Sequence, residues 1–376
     1  MSYLLALDQG TTSSRAIIFN ENGKVHATAQ RETHIKTPHS GWVEQDAQEI
    51  WTTQIAVVQQ AMASARILAK DIKALGLTNQ RETTVVWDKR TGTPLAPAII
   101  WQDRRAAEWC NSLLQNNKMN KIHKKTGLRI DPYFSAGKLV WLLQNIDGLR
   151  ELAQQGHVAF GTIDSWLIWN LTQGSQHVIE VSNASRTMLM NLKTQQWDAE
   201  LLDLFDIPHS VLPTIIRSDE YVANTAPGLL GAEIPIAGVM GDQQSALFGQ
   251  SCFEAGTAKN TYGTGCFMLF NTGKKLQYSQ NQLLTTLAWN CQNKTSYALE
   301  GSVFMAGAIV QWLRDGLGII KNSTEVEKLA CQVNSTDGVV LVPAFTGLGA
   351  PHWDTDARAL LCGMSRGTNK AHIARA

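Results

Sequence analysis

Asp8-Gln9-Gly10-Thr11-Thr12-Ser13-Ser14-Arg15 follows an apolar run, residues 3–7, and leads into a second one, residues 14–19. Both runs read as strands, and the Gly-Thr stretch between them as a tight turn. Asn22-Gly23 then signals another hairpin, with residues 25–31 as a third strand. The chain therefore opens on an antiparallel meander, not on a strand–helix unit. A helix is expected over residues 46–68. Asp46 can cap it with Glu49 in a capping-box arrangement, and Ile50, Ile55, Val58, Ala61 and Met62 supply its apolar stripe. Further strands at 72–77, 84–87 and 98–101 interleave with helices at 103–117, 135–146 and 162–171, which indicates an α/β architecture.

A comparable opening recurs past the middle of the chain. Residues 236–240 read as a strand, followed by Gly241-Asp242-Gln243-Gln244 and a helix from Ser245. Residues 258–262 and 266–270 read as strands around Gly263-Thr264-Gly265. Two Gly-Thr hairpins opening two halves suggest a duplicated fold with a cleft between the copies. From residue 369 a helical pattern runs to Ala376 without a glycine cap or polar tail, so the second copy is expected to be incomplete.

Composition narrows the function classes. The 376 residues are 44% hydrophobic and 17% charged, enough apolar material for a sizeable core and too much for a disordered chain. Lysine plus arginine (33) balances aspartate plus glutamate (32), so the net charge of +1 gives no general pull toward nucleic acid or anionic membrane. Any phosphate must be held by a local device. No apolar run approaches the roughly 18 residues that span a bilayer, and residues 1–8 lack the pattern of a signal peptide. The six cysteines form no C-x-x-C pair and no zinc spacing, which suits reduced thiols in the cytoplasm.

Five motifs can carry chemistry. In residues 8–15, Gly10 lets backbone approach an anion, and the hydroxyls and amides of Thr11, Thr12 and Ser13 can donate to phosphate oxygens. Asp8 at the strand end can hold Mg²⁺, usually through waters. An ordinary polar turn is the competing reading. Arg81-Glu82, directly after a strand, can donate to and accept from the hydroxyls of a small polyol, or be an exposed ion pair. Asp242 can serve as general base toward a hydroxyl nucleophile, or simply cap the following helix. In residues 133–145, Lys138 and Trp141 share one helix face while Leu139, Leu142 and Leu143 face a core, a pattern that fits a structural helix. Gly307, at the start of residues 307–311, would let a ligand or a second helix pack against backbone.

Taken together, residues 8–15, 81–82, 133–145, 241–244, 262–267, 306–315 and 343–351 resemble the FGGY family of carbohydrate kinases over essentially the whole chain. The resemblance implies two ribonuclease H-like domains of the actin and hexokinase type with a central cleft. Residues 1–249 would bind polyol and phosphate, and residues 250–376 would bind nucleotide, the second domain being truncated. It implies phosphoryl transfer from ATP, with Mg²⁺ at Asp8, to a polyol. Arg81, Glu82, Tyr133 and Asp242 would hold the hydroxyls with Gln243 beside them, and Asp242 would act as general base. Trp101 and Phe267 would wall the carbon chain, which suits glycerol better than a pentulose. Thr11, Thr12, Ser13 and Arg15 would serve the phosphates, and Thr264, Gly307 and Gln311 would contact ADP. Another sugar kinase of the family, or a non-catalytic polyol-binding fragment, are the alternatives.

The resemblance further implies a homo-oligomer, dimer or tetramer, for the full-length protein. In well-studied bacterial members a glycine-rich loop with an arginine binds the inhibitor fructose 1,6-bisphosphate. The corresponding stretch here, Pro227-Gly228-Leu229-Leu230-Gly231-Ala232-Glu233, lacks the arginine and carries a glutamate, so that feedback is expected to be weak. Residues 359–376 run into the family's second signature and break off within it, ahead of the loop that would cover adenine.

Overall fold

The computed structural model describes residues 2–376. Its organising element is a six-stranded mixed sheet. Across it run Ala223–Asn224, Pro235–Gly241, Ile72–Asn79, Tyr3–Gln9, Ser13–Asn20 and Val25–Glu32. The last three form the expected antiparallel meander, while Tyr3–Gln9, Ile72–Asn79 and Pro235–Gly241 run parallel to one another. Alternation builds the first strand: Tyr3, Leu5 and Leu7 point to one buried face. They meet Ala16, Ile18, Leu75 and Leu77 of neighbouring strands and Ile50, Val57, Val58 and Ala61 of the helix Ala47–Ala65 in one core. Each leucine, isoleucine or valine among them contributes roughly 1.5–3 kcal/mol on burial.

That helix starts as its sequence predicts, with Asp46 Oδ1 accepting the amides of Gln48 (2.8 Å) and Glu49 (3.4 Å). The capping box is only half formed. Glu49 turns away to His34, taking its backbone N–H and facing Nδ1 at 2.6 Å.

A second, four-stranded sheet is antiparallel throughout, in the order Ala258–Tyr262, Cys266–Gly273, Lys294–Val303, Leu284–Cys291. Both Gly-Thr turns are closed by a backbone bond from the leading glycine, Gly10 N–H donating to Ser13 O three residues on and Gly263 N–H to Gly265 O two residues on, each at 2.9 Å. The second sheet is packed firmly onto the first half of the chain. Leu287 joins Ile179, Val181, Ala184, Met190 and Leu192, while Leu269, Ala288 and Ala298 pack on Leu247.

Several elements differ from expectation in their bounds. The helix at 103–117 is Ala107–Gln115, followed by a separate helix, Met119–Thr126. The strands at 84–87 and 98–101 are Val85–Asp88 and Ala98–Ile99, each in a small two-stranded pair. The helix expected from Ser245 begins at Asp242 and runs to Gly249. Its N-cap is Gly241, so Asp242 is the first helical residue and not the cap.

Candidate active site

Register across the first sheet brings three chain segments to one place. Gln9, Asn79 and Gly241 are paired in a row at the carboxyl ends of the three parallel strands. The next residues, Gly10-Thr11, Gln80-Arg81-Glu82 and Asp242, therefore emerge side by side. The crevice beyond the carboxyl ends of parallel strands is where open α/β sheets bind ligands. A cavity of about 160 Å³ lies there. From the first sheet's side it is lined by Thr11, Arg81, Glu82, Trp101, Tyr133, Asp242 and Gln243, and from the second hairpin by Thr264 and Phe267. Nine of the residues singled out from sequence thus share one wall-to-wall space. Gly263 and Gly265 of the second hairpin line it too, as do Gln80 and Thr261, which have no role assigned from sequence.

Arg81 and Glu82 are not an exposed pair: both side chains are 2% exposed. Arg81 Nε lies 3.4 Å from Asp242 Oδ1, Nη2 reaches Tyr133 Oη at 3.4 Å, and Nη1 donates to Glu300 Oε2 at 2.6 Å. Glu82 Oε1 accepts Arg186 Nε at 2.6 Å. Burial raises the Glu82 carboxyl above its ordinary value, opposed by Arg81 and Arg186. Glu82 also adopts φ of +61°. The left-handed region costs a non-glycine residue on the order of 1–3 kcal/mol and persists where surroundings enforce it. Here Ser135 Oγ (3.0 Å) and Thr84 Oγ1 (3.2 Å) both donate to its carbonyl.

The apolar walls meet edge to face. Trp101 stands 5.7 Å from Phe267 and 5.9 Å from Tyr133, ring centre to ring centre. Trp101 Nε1 donates to Thr11 Oγ1 at 2.9 Å, which ties this wall to the first hairpin.

Asp242 keeps about a third of its side chain open (32%), unlike its neighbours. Its Oδ1 accepts the Gln243 amide at 2.7 Å. Desolvation raises its carboxyl above the ordinary aspartate value, against the pull of Arg81. Lys259, on the second sheet's edge strand, donates to Gln243 Oε1, to Thr261 Oγ1 (2.9 Å) and to Phe267 O (3.1 Å). Burial lowers the Lys259 ammonium to about 8.

Other predicted residues stand one step back from the cavity. Asp8 and Arg15 are paired across the first hairpin, Arg15 Nη1 lying 3.6 Å from Asp8 Oδ2. Burial raises the Asp8 carboxyl and Arg15 opposes it. Thr12 is exposed at the turn and Ser13 opens the next strand. Gly307 begins the helix Gly307–Asp315, and its N–H donates to Gly263 O at 2.9 Å. A Cβ there would lie 2.8 Å from that same oxygen, so close approach to the second hairpin requires glycine. Gln311 is exposed on the same helix, outside the cavity. Lys138 proves wholly buried, its Nζ satisfied by the carbonyls of Pro132, Tyr133 and Phe134, which supports the structural reading of that helix.

Asp8 is a fit ligand for Mg²⁺ of the phosphate-bridging kind. Such an ion takes one or two carboxylates and fills its remaining positions with phosphate oxygens and water. Among the described residues no cluster of three or more His, Cys, Asp or Glu could form an all-protein cage. Asp8, a carboxylate beside a hydroxyl-rich turn, would offer such an ion one protein ligand.

Sequence reasoning missed Glu300, Arg186 and Lys259. For Glu300 a signal existed: Ala298, Glu300 and Ser302 alternate onto one fully buried strand face, a position where an unpaired charge does not survive. Arg186 sits in a polar run, residues 182–187, with no periodicity to mark it as buried.

The sequence matches the N-terminal domain of the FGGY family of carbohydrate kinases over residues 3–249 and the C-terminal domain of that family over residues 258–376. It is 79% identical over 376 residues to a glycerol kinase of Acinetobacter baylyi, covering 100% of this chain and 76% of that protein. To a glycerol kinase of Deinococcus radiodurans it is 58% identical over 374 residues, covering 100% of this chain and 74% of that one. Among solved structures, Plasmodium falciparum glycerol kinase with ADP superposes with a TM-score of 0.86 at 38% identity, covering 100% of this chain and 75% of that chain.

Proposed function

The chain belongs to the FGGY family of carbohydrate kinases, and on that premise we propose that it phosphorylates glycerol with ATP, giving sn-glycerol 3-phosphate. The observation that carries the reading is the shared cavity: Asp242, the Arg81–Glu82 pair and Thr11 of the first hairpin line one space walled by Trp101 and Phe267.

Arg81, Glu82 and Tyr133 hold the hydroxyls, and the two aromatic walls cover the carbon chain. Asp242 takes the proton of the terminal hydroxyl as its oxygen attacks the γ-phosphorus. The bond between that phosphorus and the bridging oxygen breaks, and ADP leaves. A carboxyl raised by desolvation is a stronger base than one in water, and the neighbouring Arg81 guanidinium favours its ionised form. Thr11, Thr12, Ser13 and Arg15 receive the phosphates on one side. Thr264, Gly307 and Gln311 contact the nucleotide on the other. Gly265 lets the second hairpin come close, since a Cβ there would lie 2.5 Å from Val303 O. Mg²⁺ held at Asp8 would neutralise phosphate charge. The remaining work is alignment and exclusion of water, which is most of what phosphoryl transfer asks of a protein.

In this reading residues 1–249 carry polyol and phosphate contacts and residues 250–376 carry nucleotide contacts. Use of ATP as donor goes with a cytoplasmic location; among the described residues no helix is long and apolar enough to cross a membrane. A coupled ADP-release assay over a substrate panel tests the proposal. Glycerol is expected to be the best acceptor. Faster turnover of a pentulose would reassign the substrate, and glycerol binding without turnover would leave a polyol-binding module.

A further inference from the structure

Arg81 and Glu82 leave the first sheet as neighbours, but what fixes their side chains comes from two distant segments. Glu300 lies within the strand Lys294–Val303 of the second sheet. It takes Arg81 as a fork, Nη1 on Oε2 at 2.6 Å and Nη2 on Oε1 at 3.0 Å. Its Oε1 also accepts Arg186 Nη2 at 3.0 Å and Ser302 Oγ at 2.9 Å. Arg186 turns its Nε onto Glu82 Oε1 at 2.6 Å. The four side chains close a ring, Arg81–Glu300–Arg186–Glu82, in which each is 2% exposed or less. Two cations balance two anions, and the arginines hold the Glu300 carboxyl down to about 2 despite its burial.

Neither Glu300 nor Arg186 lines the cavity. Their effect on it is geometric. A guanidinium caught at two points by a carboxylate cannot rotate freely. Its Nε edge is thereby aimed at Asp242 Oδ1 and the cavity. Arg186 likewise occupies one oxygen of Glu82 and fixes the carboxylate's plane. Because Glu300 is carried by the second sheet, the ring exists only while that sheet is docked on the first.

We propose that Glu300 and Arg186 are positioning residues for the polyol, and that Glu300 makes polyol affinity depend on docking of the two sheets. This rests on the reading of Arg81 and Glu82 as the polyol-binding pair. Steady-state kinetics of the full chain test it with Glu300→Gln, which removes the charge at nearly constant shape, and Arg186→Lys, which keeps the charge but loses the fork. Both are expected to raise the KM for glycerol about tenfold or more while the KM for ATP stays within about twofold, with kcat changing less than the glycerol KM. A purely structural role would lower the active fraction, so kcat would fall and the glycerol KM would hold. Ser302→Ala removes only a hydroxyl that donates to Glu300 and gives a milder rise in the same KM, which covers the case in which a charge variant fails to fold. Unchanged glycerol KM in the folded variants, beside an active wild type, overturns the proposal. A wild type that does not phosphorylate glycerol overturns the functional reading instead.

Discussion

Two groups of buried carboxyls flank Asp242, and they are solved in opposite ways. On the cavity side, Glu82 and Glu300 are met by the guanidinium groups of Arg81 and Arg186. Near the Pro235–Gly241 strand, Glu180 and Asp164 are met, among the described residues, by neutral donors only. Glu180 accepts Ser182 N–H and Oγ, Asn183 N–H and Ser218 Oγ; Asp164 accepts Thr162 Oγ1 and Glu180 N–H. All four side chains are essentially shielded from water. Yet Glu300 is held at about 2, while desolvation lifts Glu180 to about 7 and Asp164 to about 6, and also raises Glu82 against its two guanidinium partners. Burial and partner charge compete at each carboxyl: the two guanidinium groups outweigh burial at Glu300, burial outweighs them at Glu82, and at Glu180 and Asp164 no cation opposes it among the described residues. Asp242 joins the two groups. Arg81 faces its carboxylate, and the preceding Gly241 donates its N–H to Ser182 Oγ at 3.0 Å, the hydroxyl that serves Glu180.

The largest effect is expected at the junction. Asp242→Asn keeps the size of the side chain and removes the base. Loss of a positioned general base lowers rates by about 10²–10⁴-fold, and kcat for glycerol phosphorylation should fall within that range. The group is partly open to the cavity, so the melting temperature should move little. A loss of less than tenfold in kcat would exclude the base role and leave Asp242 as a mere partner of Arg81.

How far this is legible in the sequence follows from the same contrast. The strand ends can be read from alternation and turn residues, which puts Thr11, Arg81, Glu82 and Asp242 just after strands; that they share one cleft is implied in the sequence only by the family resemblance. Whether Arg81–Glu82 is a surface pair or a buried grip cannot be read locally. The answer depends on Glu300, 219 residues away from Arg81, and on Arg186, 104 residues from Glu82. Glu180 gives no signal, because its partners are serine and asparagine groups that look like any polar loop. Local chemistry is written in short motifs; charge compensation is settled by tertiary contact.

A smaller effect separates Glu180 and Asp164 from Glu300 by pH. For Glu180 the folded value, about 7, lies above the ordinary 4.5. The folded protein then holds a proton that the unfolded chain has released, so stability falls as pH rises from about 4.5 to 7. Asp164 acts in the same direction between 3.8 and about 6. Glu300 acts in the opposite one: its contribution is complete above 4.5 and is lost as pH falls toward 2. Each pH unit separating the folded and unfolded values is worth roughly 1.4 kcal/mol, so Glu180 alone accounts for a change on the order of 3 kcal/mol. Melting curves should show the wild type losing stability between pH 5 and 7 and Glu180→Gln losing much less. Equal slopes in both would mean that a cation compensates Glu180 after all, and the contrast between the groups would fail.

The smallest effect concerns a carboxylate that belongs to neither group. Glu233, in the loop after Pro227, is bonded to Asn224 Nδ2 at 2.8 Å and enters no ion pair among the described residues. Gly228 and Gly231 hold positive φ there, +84° and +87°, so the loop has the backbone freedom to wrap an anion but no cation of its own to attract one. A sugar bisphosphate would meet an exposed negative charge where an arginine would be needed. Fructose 1,6-bisphosphate added to the assay at saturating glycerol and ATP should therefore change the rate by less than about twofold, a like-charge contact being unfavourable even where it is screened. Glu233→Arg supplies the missing cation and should make inhibition measurable where the wild type shows none. Strong inhibition of the wild type would show that the anion finds its positive charge elsewhere on the surface.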